Sequence, residues 1–201
     1  MKNDGVNTER RRFLTTTASV VGGAGALATS VPFVSTLTPS ARARAIGAPV
    51  EADIGELEFG ERKIVKWRGK PVWILRRDDA AIDDLRERDD ELRDPASKAD
   101  QQPFYARNEY RSQRSEYLIV LGICTHLGCS PVYVRKGEGE AHQLGAGWQG
   151  GFFCPCHGSR FDLAGRVYKG VPAPANLVVP PHQYLSDTKV LIGDDSGVAQ
   201  S

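Results

Sequence analysis

This 201-residue chain has no excess of either charge: 26 Lys and Arg face 25 Asp and Glu, a net charge of +1. A nucleic-acid binder needs a basic surface to displace counterions from phosphates, and nothing in that balance points to one. Glycine-rich loops of the phosphate-cradling pattern and the usual nucleophile motifs are absent as well, which leaves no handle for chemistry of those kinds. Cysteine and histidine are scarce, at four of each, yet they are not scattered. All four cysteines and two of the histidines fall in two boxes, Cys124-Thr125-His126-Leu127-Gly128-Cys129 and Cys154-Pro155-Cys156-His157-Gly158-Ser159. With 40% hydrophobic residues, a chain of this length suits one globular domain with extensions.

Each box offers one Cys and one His at close spacing, plus a second Cys. Together they are the ligand set of a Rieske 2Fe–2S centre, in which two thiolates hold one iron and two imidazoles the other. On this reading Cys124 and Cys154 hold the inner iron, and His126 and His157 the outer one. Neutral imidazoles remove negative charge that four thiolates would impose, and so raise the potential. Each imidazole keeps a second ring nitrogen whose proton becomes more acidic when the iron is oxidised, which couples electron to proton transfer. Cys129 and Cys156 are left over. If the boxes sit on two loops facing each other across the cluster, a disulfide between them would staple the loops, in an oxidising compartment. The alternative is a tetrahedral structural zinc held by the same Cys and His residues, with the leftover thiols free. His142 and His182 lie outside the boxes and read as ordinary surface or loop histidines.

The N-terminus carries Arg10-Arg11-Arg12-Phe13-Leu14 before a run without charge from Phe13 to Ala41. Arg-Arg-x-Phe-Leu ahead of an apolar stretch has the form of a twin-arginine export signal, a route that carries folded, cofactor-loaded proteins. The bland reading is the positive flank of any membrane segment. Leu14 to Leu37 is long enough to cross ~30 Å of hydrocarbon at ~1.5 Å per residue. The run is rich in Gly, Ala, Ser and Thr, with Pro32 inside it, and small residues suit close packing between membrane helices. Ala41-Arg42-Ala43 and Ala43-Arg44-Ala45 match a signal-peptidase pattern, but the apolar run exceeds a usual signal core, so the anchor is read as retained. The expected organisation is a cytoplasmic head at 1–12, a transmembrane anchor at 13–39, a hinge linker at 40–50 and a globular domain at 51–201.

In that domain, Arg62–Trp67 and Pro71–Leu75 flank Arg68-Gly69-Lys70 and predict a β-hairpin. Asp78–Arg93 predicts one solvated helix ending near Pro95, its charges a wet face. Ser97–Ser115 reads as polar loop. Tyr117–Ile123 is a continuous apolar strand leading into the first box, and Pro131–Val134 is a second strand. Lys136–Gly151 reads as a mobile loop that runs through Phe152 and Phe153 into the second box. Short strands follow near Arg160–Asp162, Arg166–Lys169, Leu177–Val179, Gln183–Leu185 and Lys189–Ile192. Trp67, Trp73 and Trp148 are assigned to packing. The fold expected is mainly β: an antiparallel domain with one helical insertion, preceded by a single N-terminal transmembrane helix.

With these residues in place, the chain resembles the Rieske iron–sulfur subunit of the cytochrome bc complex (ubiquinol–cytochrome c reductase) in its proteobacterial form. The likeness rests on the Arg-Arg-x-Phe-Leu head, the anchor, Lys66-Trp67-Arg68-Gly69-Lys70-Pro71-Val72, both boxes, and Gly165-Arg166-Val167-Tyr168-Lys169. Gly170-Val171-Pro172-Ala173-Pro174 matches the proline loop that covers the cluster in that family. The resemblance implies one 2Fe–2S cluster, with His157 as the quinol contact, His126 as the second exposed imidazole and Leu127 at the docking tip. It implies that the cluster takes one electron from quinol bound in cytochrome b, with proton release. The head then swings on its linker to cytochrome c1, while the second electron goes to the b haems. Partners would be cytochrome b and cytochrome c1 in a dimeric complex, with quinol and membrane lipid; the membrane would be the bacterial inner membrane, with the head in the periplasm. In the family's pattern Ser159 bonds a bridging sulfide and a tyrosine two residues on bonds a ligand sulfur, but here that position is Phe161. Two redox rivals share part of this signature. A soluble Rieske ferredoxin for a ring oxygenase as a rule lacks the second cysteine pair and needs no export signal. The exported subunit of an arsenite oxidase can share signal, boxes and disulfide but is less well matched at Lys66–Val72.

Overall fold

The computed structural model describes residues 7–198. Residues 1–6 of the expected basic head, and the last three residues of the chain, lie outside the described residues. The chain divides into two compact units, Met1–Ala45 and Ile46–Ser201.

The first unit is dominated by one helix, α1 (Thr8–Thr36), of 29 residues. At ~1.5 Å per residue it is about 44 Å long, more than the ~30 Å hydrocarbon core requires. It starts at Thr8, so the three arginines belong to its opening turns and do not precede it. Asn7 makes this possible by accepting the Arg10 N–H on its side chain at 3.1 Å, and Glu9 adds the negative charge that a helix N-terminus favours. The many hydroxyls are not stranded in the apolar run. Thr29, Ser30, Ser35 and Thr36 each donate to a carbonyl three or four residues back, which satisfies them without water. No residue of α1 is buried within the protein. The expected hinge is not featureless either: it holds a short helix, α2 (Ala41–Gly47), capped by Ser40, whose Oγ accepts the Ala43 N–H at 3.1 Å.

The second unit is built from three antiparallel sheets of three strands. The first joins β1 (Val50–Asp53), β9 (Lys189–Ile192) and β8 (His182–Tyr184), in that order. The second joins β2 (Arg62–Trp67), β3 (Lys70–Arg76) and β4 (Tyr117–Leu121). The third joins β5 (Val132–Val134), β6 (Gly151–Cys154) and β7 (Ser159–Phe161).

The uninterrupted apolar run of β4 has a simple cause. All five of its residues are buried because both faces of the β2–β3–β4 sheet carry a core. Trp73, Leu75, Leu118 and Val120 face one core, which also contains Cys124, Cys154, Phe152 and Phe161. Val72, Ile74, Ile119 and Leu121 face the other, with Ile54, Val190 and Ile192. This is the two-residue alternation of a strand, applied to a sheet covered on both sides. Trp67, Trp73 and Trp148 are all buried, as packing residues should be.

Several sequence expectations give way to tertiary contacts. The predicted helix over Asp78–Arg93 stops early: α3 spans Asp79–Arg86 and a 3₁₀ turn covers Asp89–Glu91. Leu92 leaves the helical path to bridge Tyr168 and bury itself, and the Arg93 N–H bonds the Val167 carbonyl at 3.0 Å. Arg166–Lys169 and Leu177–Val179 are not strands. The former contributes only isolated bridges, and the latter sends single hydrogen bonds to Gly165 and Gln101. The stretch Ser97–Ser115 is loop apart from a 3₁₀ turn at Phe104–Ala106, and Ser97, Gln102, Arg111 and Ser112 within it are buried and act as internal ties. Two further strands, β1 and β6, form where the sequence pattern predicts none. His182 is not a surface histidine: it is 1% exposed, its Nδ1 lies 2.9 Å from the Pro180 carbonyl, and its ring stands edge-on to Tyr105.

Candidate metal centre

The two boxes fold into the same local device. In the first, the Gly128 N–H bonds the Cys124 carbonyl at 3.1 Å; in the second, the Gly158 N–H bonds the Cys154 carbonyl at 2.9 Å. Both are one-turn loops closed four residues on, and both glycines have positive φ (84° and 78°), a conformation that costs a side-chain-bearing residue free energy. The turn leaves a cysteine at its base and a histidine nearer its tip. Cys124 and Cys154 are buried free thiols, each 2% exposed. His126 is half-buried and His157 exposed, and their rings stand 4.8 Å apart, nearly perpendicular. Strand β4 delivers the first turn, while β6 and β7 flank the second, with Cys154 paired to Ser159 across the hairpin.

Cys129 and Cys156 are joined by a disulfide that links one turn to the other. The sulfurs of Cys129, Cys154 and Cys156 lie within 4.8 Å of one another. Since two of these three are spent in the disulfide, the free thiols left for a metal are Cys124 and Cys154. Burial pushes the Cys154 thiol up, with Cys124 beside it adding to the rise, while the backbone N–H groups of Cys156 and His157 pull the other way. A buried thiol that resists ionisation, as Cys154 does, is what a bound metal reverses, because coordination removes the proton. Two thiols inside and two imidazoles outside fit an asymmetric iron–sulfur centre.

Around these four residues the structure adds supports that no motif announces. Ser159 is buried, and its Oγ accepts the Ala173 N–H at 3.0 Å, which leaves its own proton for another acceptor. Thr125 Oγ1 donates to the Ala175 carbonyl at 2.6 Å. The proline loop is thus tied to both turns. Along it exposure alternates: Gly170, Pro172 and Pro174 are exposed, whereas Val171 and Ala173 are buried. Leu127 projects into solvent at 71% exposure, while Phe161 is fully buried in the core behind the second turn.

Behind the proline loop lies a buried charged brace. The Asp162 carboxylate accepts from the Ala164 N–H, the Arg166 N–H and Arg166 Nε at 2.7–2.9 Å. Arg166 continues to Asp89 at 3.0 Å, and Asn176 accepts from the Val167 N–H while donating to the Asp94 carbonyl. Arg77 and Arg111 converge on the carbonyls of Leu163, Ala164 and Gly165. Burial brings both guanidinium groups down to about 10, still cationic at neutral pH. The insertion over 79–94 therefore fastens the segment leading into the proline loop. The only sequence signals for this were Asp162 and Arg166 at spacing four and a lone Asn176 after the prolines.

Comparison with known proteins agrees with this geometry. Residues 50–182 match the Rieske [2Fe-2S] domain, and residues 1–40 match the "Ubiquitinol-cytochrome C reductase Fe-S subunit TAT signal". The chain is 57% identical to the ubiquinol–cytochrome c reductase iron–sulfur subunit of Allochromatium vinosum, over 99% of this chain and 95% of that relative. It is 46% identical to the subunit of the same name from Bradyrhizobium diazoefficiens, over 92% of this chain and 94% of the relative. The Blastochloris viridis subunit is 41% identical, over 98% of each. With the paired Cys–His turns, the disulfide and a relative matched over nearly its whole length, the chain belongs to the family of Rieske iron–sulfur subunits of ubiquinol–cytochrome c reductase.

Proposed function

We propose that Cys124 and Cys154 ligate the inner iron and His126 and His157 the outer iron of the 2Fe–2S cluster, in a head that takes electrons from quinol. The observation that carries this is the arrangement of two buried free thiols behind two outward imidazoles 4.8 Å apart. Bound there, the cluster supplies one-electron chemistry at a potential raised by its neutral ligands.

His157, the more exposed imidazole, accepts the hydrogen bond of the quinol hydroxyl and takes up its proton. His126 presents the second outer nitrogen. Ser159, whose Oγ accepts the Ala173 N–H, keeps a hydroxyl proton that would be free to donate to a cluster sulfur. Leu127, Pro172 and Pro174 form an exposed apolar rim that suits a quinol pocket. The head, 51–201, carries the electron to cytochrome c1 by moving on the linker 40–50. The anchor 13–39 crosses the bacterial inner membrane, with residues 1–12 cytoplasmic and the head in the periplasm, inside a dimeric complex with cytochrome b. The disulfide supports the oxidising side of the membrane, because such bonds persist there.

Electron paramagnetic resonance of ascorbate-reduced membranes carrying this chain, with and without a quinone-site inhibitor, tests the reading. A rhombic Rieske signal that changes shape with inhibitor is expected. A Rieske signal indifferent to inhibitor would remove the quinol site, and no reducible signal would remove the cluster assignment.

A further inference from the structure

Beside His157 opens a groove of about 630 Å³, walled by the 3₁₀ turn Glu140–His142, by the second turn with its outgoing strand β7, and by the proline loop. Its polar side chains are His142, Gln143, His157 and Arg160, and its lining includes no Asp or Glu. In a chain whose charges nearly cancel, a groove lined by an arginine and no acid stands out as a local imbalance.

Arg160 is the source of it. It sits in β7 between Ser159 and Phe161, both fully buried, so strand alternation turns Arg160 to the outer face. Its guanidinium lies 5.7 Å from the Tyr168 ring centroid, and among the described residues it forms no ion pair. Some arginines of the head meet a carboxylate, as Arg76 meets Glu116, Arg107 Asp100, Arg114 Asp187 and Arg166 Asp162, and others bind carbonyls in the interior, as Arg77 and Arg111 do; Arg160 does neither and borders the groove. The groove also differs from the rim beside it. Leu127 and Pro174, outside its lining, offer apolar surface, whereas the groove adds a fixed positive charge to the wall it shares with the exposed imidazole.

We infer that this groove receives a carboxylate-bearing segment of the electron acceptor, with Arg160 supplying the charge and His142 a second polar contact. The inference rests on the reading that the head delivers its electron at the His157 end, and it names the chemistry of the surface met there. A charge at the edge of a docking face acts chiefly on encounter and orientation, so its effect is screened by salt.

The test is the rate of electron transfer from the reduced head to its acceptor in the assembled reductase, measured against ionic strength. Arg160→Gln is expected to slow transfer by about tenfold at low salt, the lower end of electrostatic steering, with the deficit closing as salt rises. Arg160→Lys is expected to recover most of the rate. The paramagnetic spectrum and midpoint potential should match the parent, which separates docking from damage to the centre. His142→Glu places an acid on another wall of the groove, so it tests the same charge logic should Arg160→Gln fail to assemble; it too should slow transfer at low salt. A rate unchanged in both variants, or a deficit indifferent to salt, overturns the inference. So does an altered response to quinone-site inhibitor with normal transfer to the acceptor, because the groove would then belong to the quinol side. Absence of any Rieske signal in the parent complex would instead sink the preceding reading, whatever Arg160 does.

Discussion

The two turns that carry the cysteines and histidines are alike in backbone and unlike in support. Each closes with a glycine N–H on the carbonyl of its buried cysteine, and each glycine adopts positive φ. The first turn hangs from β4, a strand buried on both faces, and reaches the proline loop through one half-buried tie, Thr125 to Ala175. The second sits in a three-residue hairpin edge and reaches the same loop through a fully buried tie, Ser159 to Ala173. The difference teaches how a repeated backbone turn becomes an asymmetric site. Backbone geometry places a Cys and a His twice, but the surroundings leave His126 half-buried and His157 open.

The strongest way to break the comparison is to remove one proposed ligand from each turn. His126→Gln and His157→Gln should each abolish the Rieske paramagnetic signal in reduced membranes; a surviving signal in either would remove that residue from the ligand set. Next in size is the link between the turns. Cys129→Ser opens the disulfide, whose partners are 27 residues apart, and a loop of that length implies about 3.5 kcal/mol of lost stabilisation. Cluster content and thermal midpoint should both fall, and a head that keeps full cluster occupancy would show the staple dispensable.

A control outside both turns separates the centre from the scaffold. Burial depresses the His182 pKa from 6.5 to about 4, so the unfolded chain binds a proton that the folded head refuses. Its contribution is intact above about pH 6.5 and is lost as pH falls toward 4, about 3 kcal/mol in all. His182→Gln should flatten denaturant stability across that window; a parent curve already flat there would refute the account. The smallest effect concerns the core behind the second turn. Phe161 is fully buried and offers no hydroxyl to the centre. Phe161→Tyr should raise the midpoint potential by about 40 mV, the one-electron equivalent of one hydrogen bond of about 1 kcal/mol to a ligand sulfur. An unchanged or lower potential would sink it.

Much of this protein was legible in its residues. The boxes named the ligand chemistry because few residue types bind iron, and the spacing set two turns. The hairpin over 62–75, the apolar run of β4 and the strand over 189–192 follow from alternation and turn residues, which act locally. The N-terminal helix was equally plain, since an uncharged run of that length has few other uses. What sequence could not reach were contacts between distant segments. Nothing local says that Leu92 leaves a helical pattern to pair with Tyr168, or that a histidine near the C-terminus is sealed beneath Tyr105. The same holds for the brace from Asp89 through Arg166 to Asp162 and for the bond between Ser159 and Ala173. The sequence alone determined which atoms could hold the centre, because ligand chemistry is a property of residue type. Only the tertiary structure decided which thiols remain free, which imidazole faces out and that Arg160 borders a groove without an acid, because burial and charge pairing depend on what the rest of the chain brings alongside.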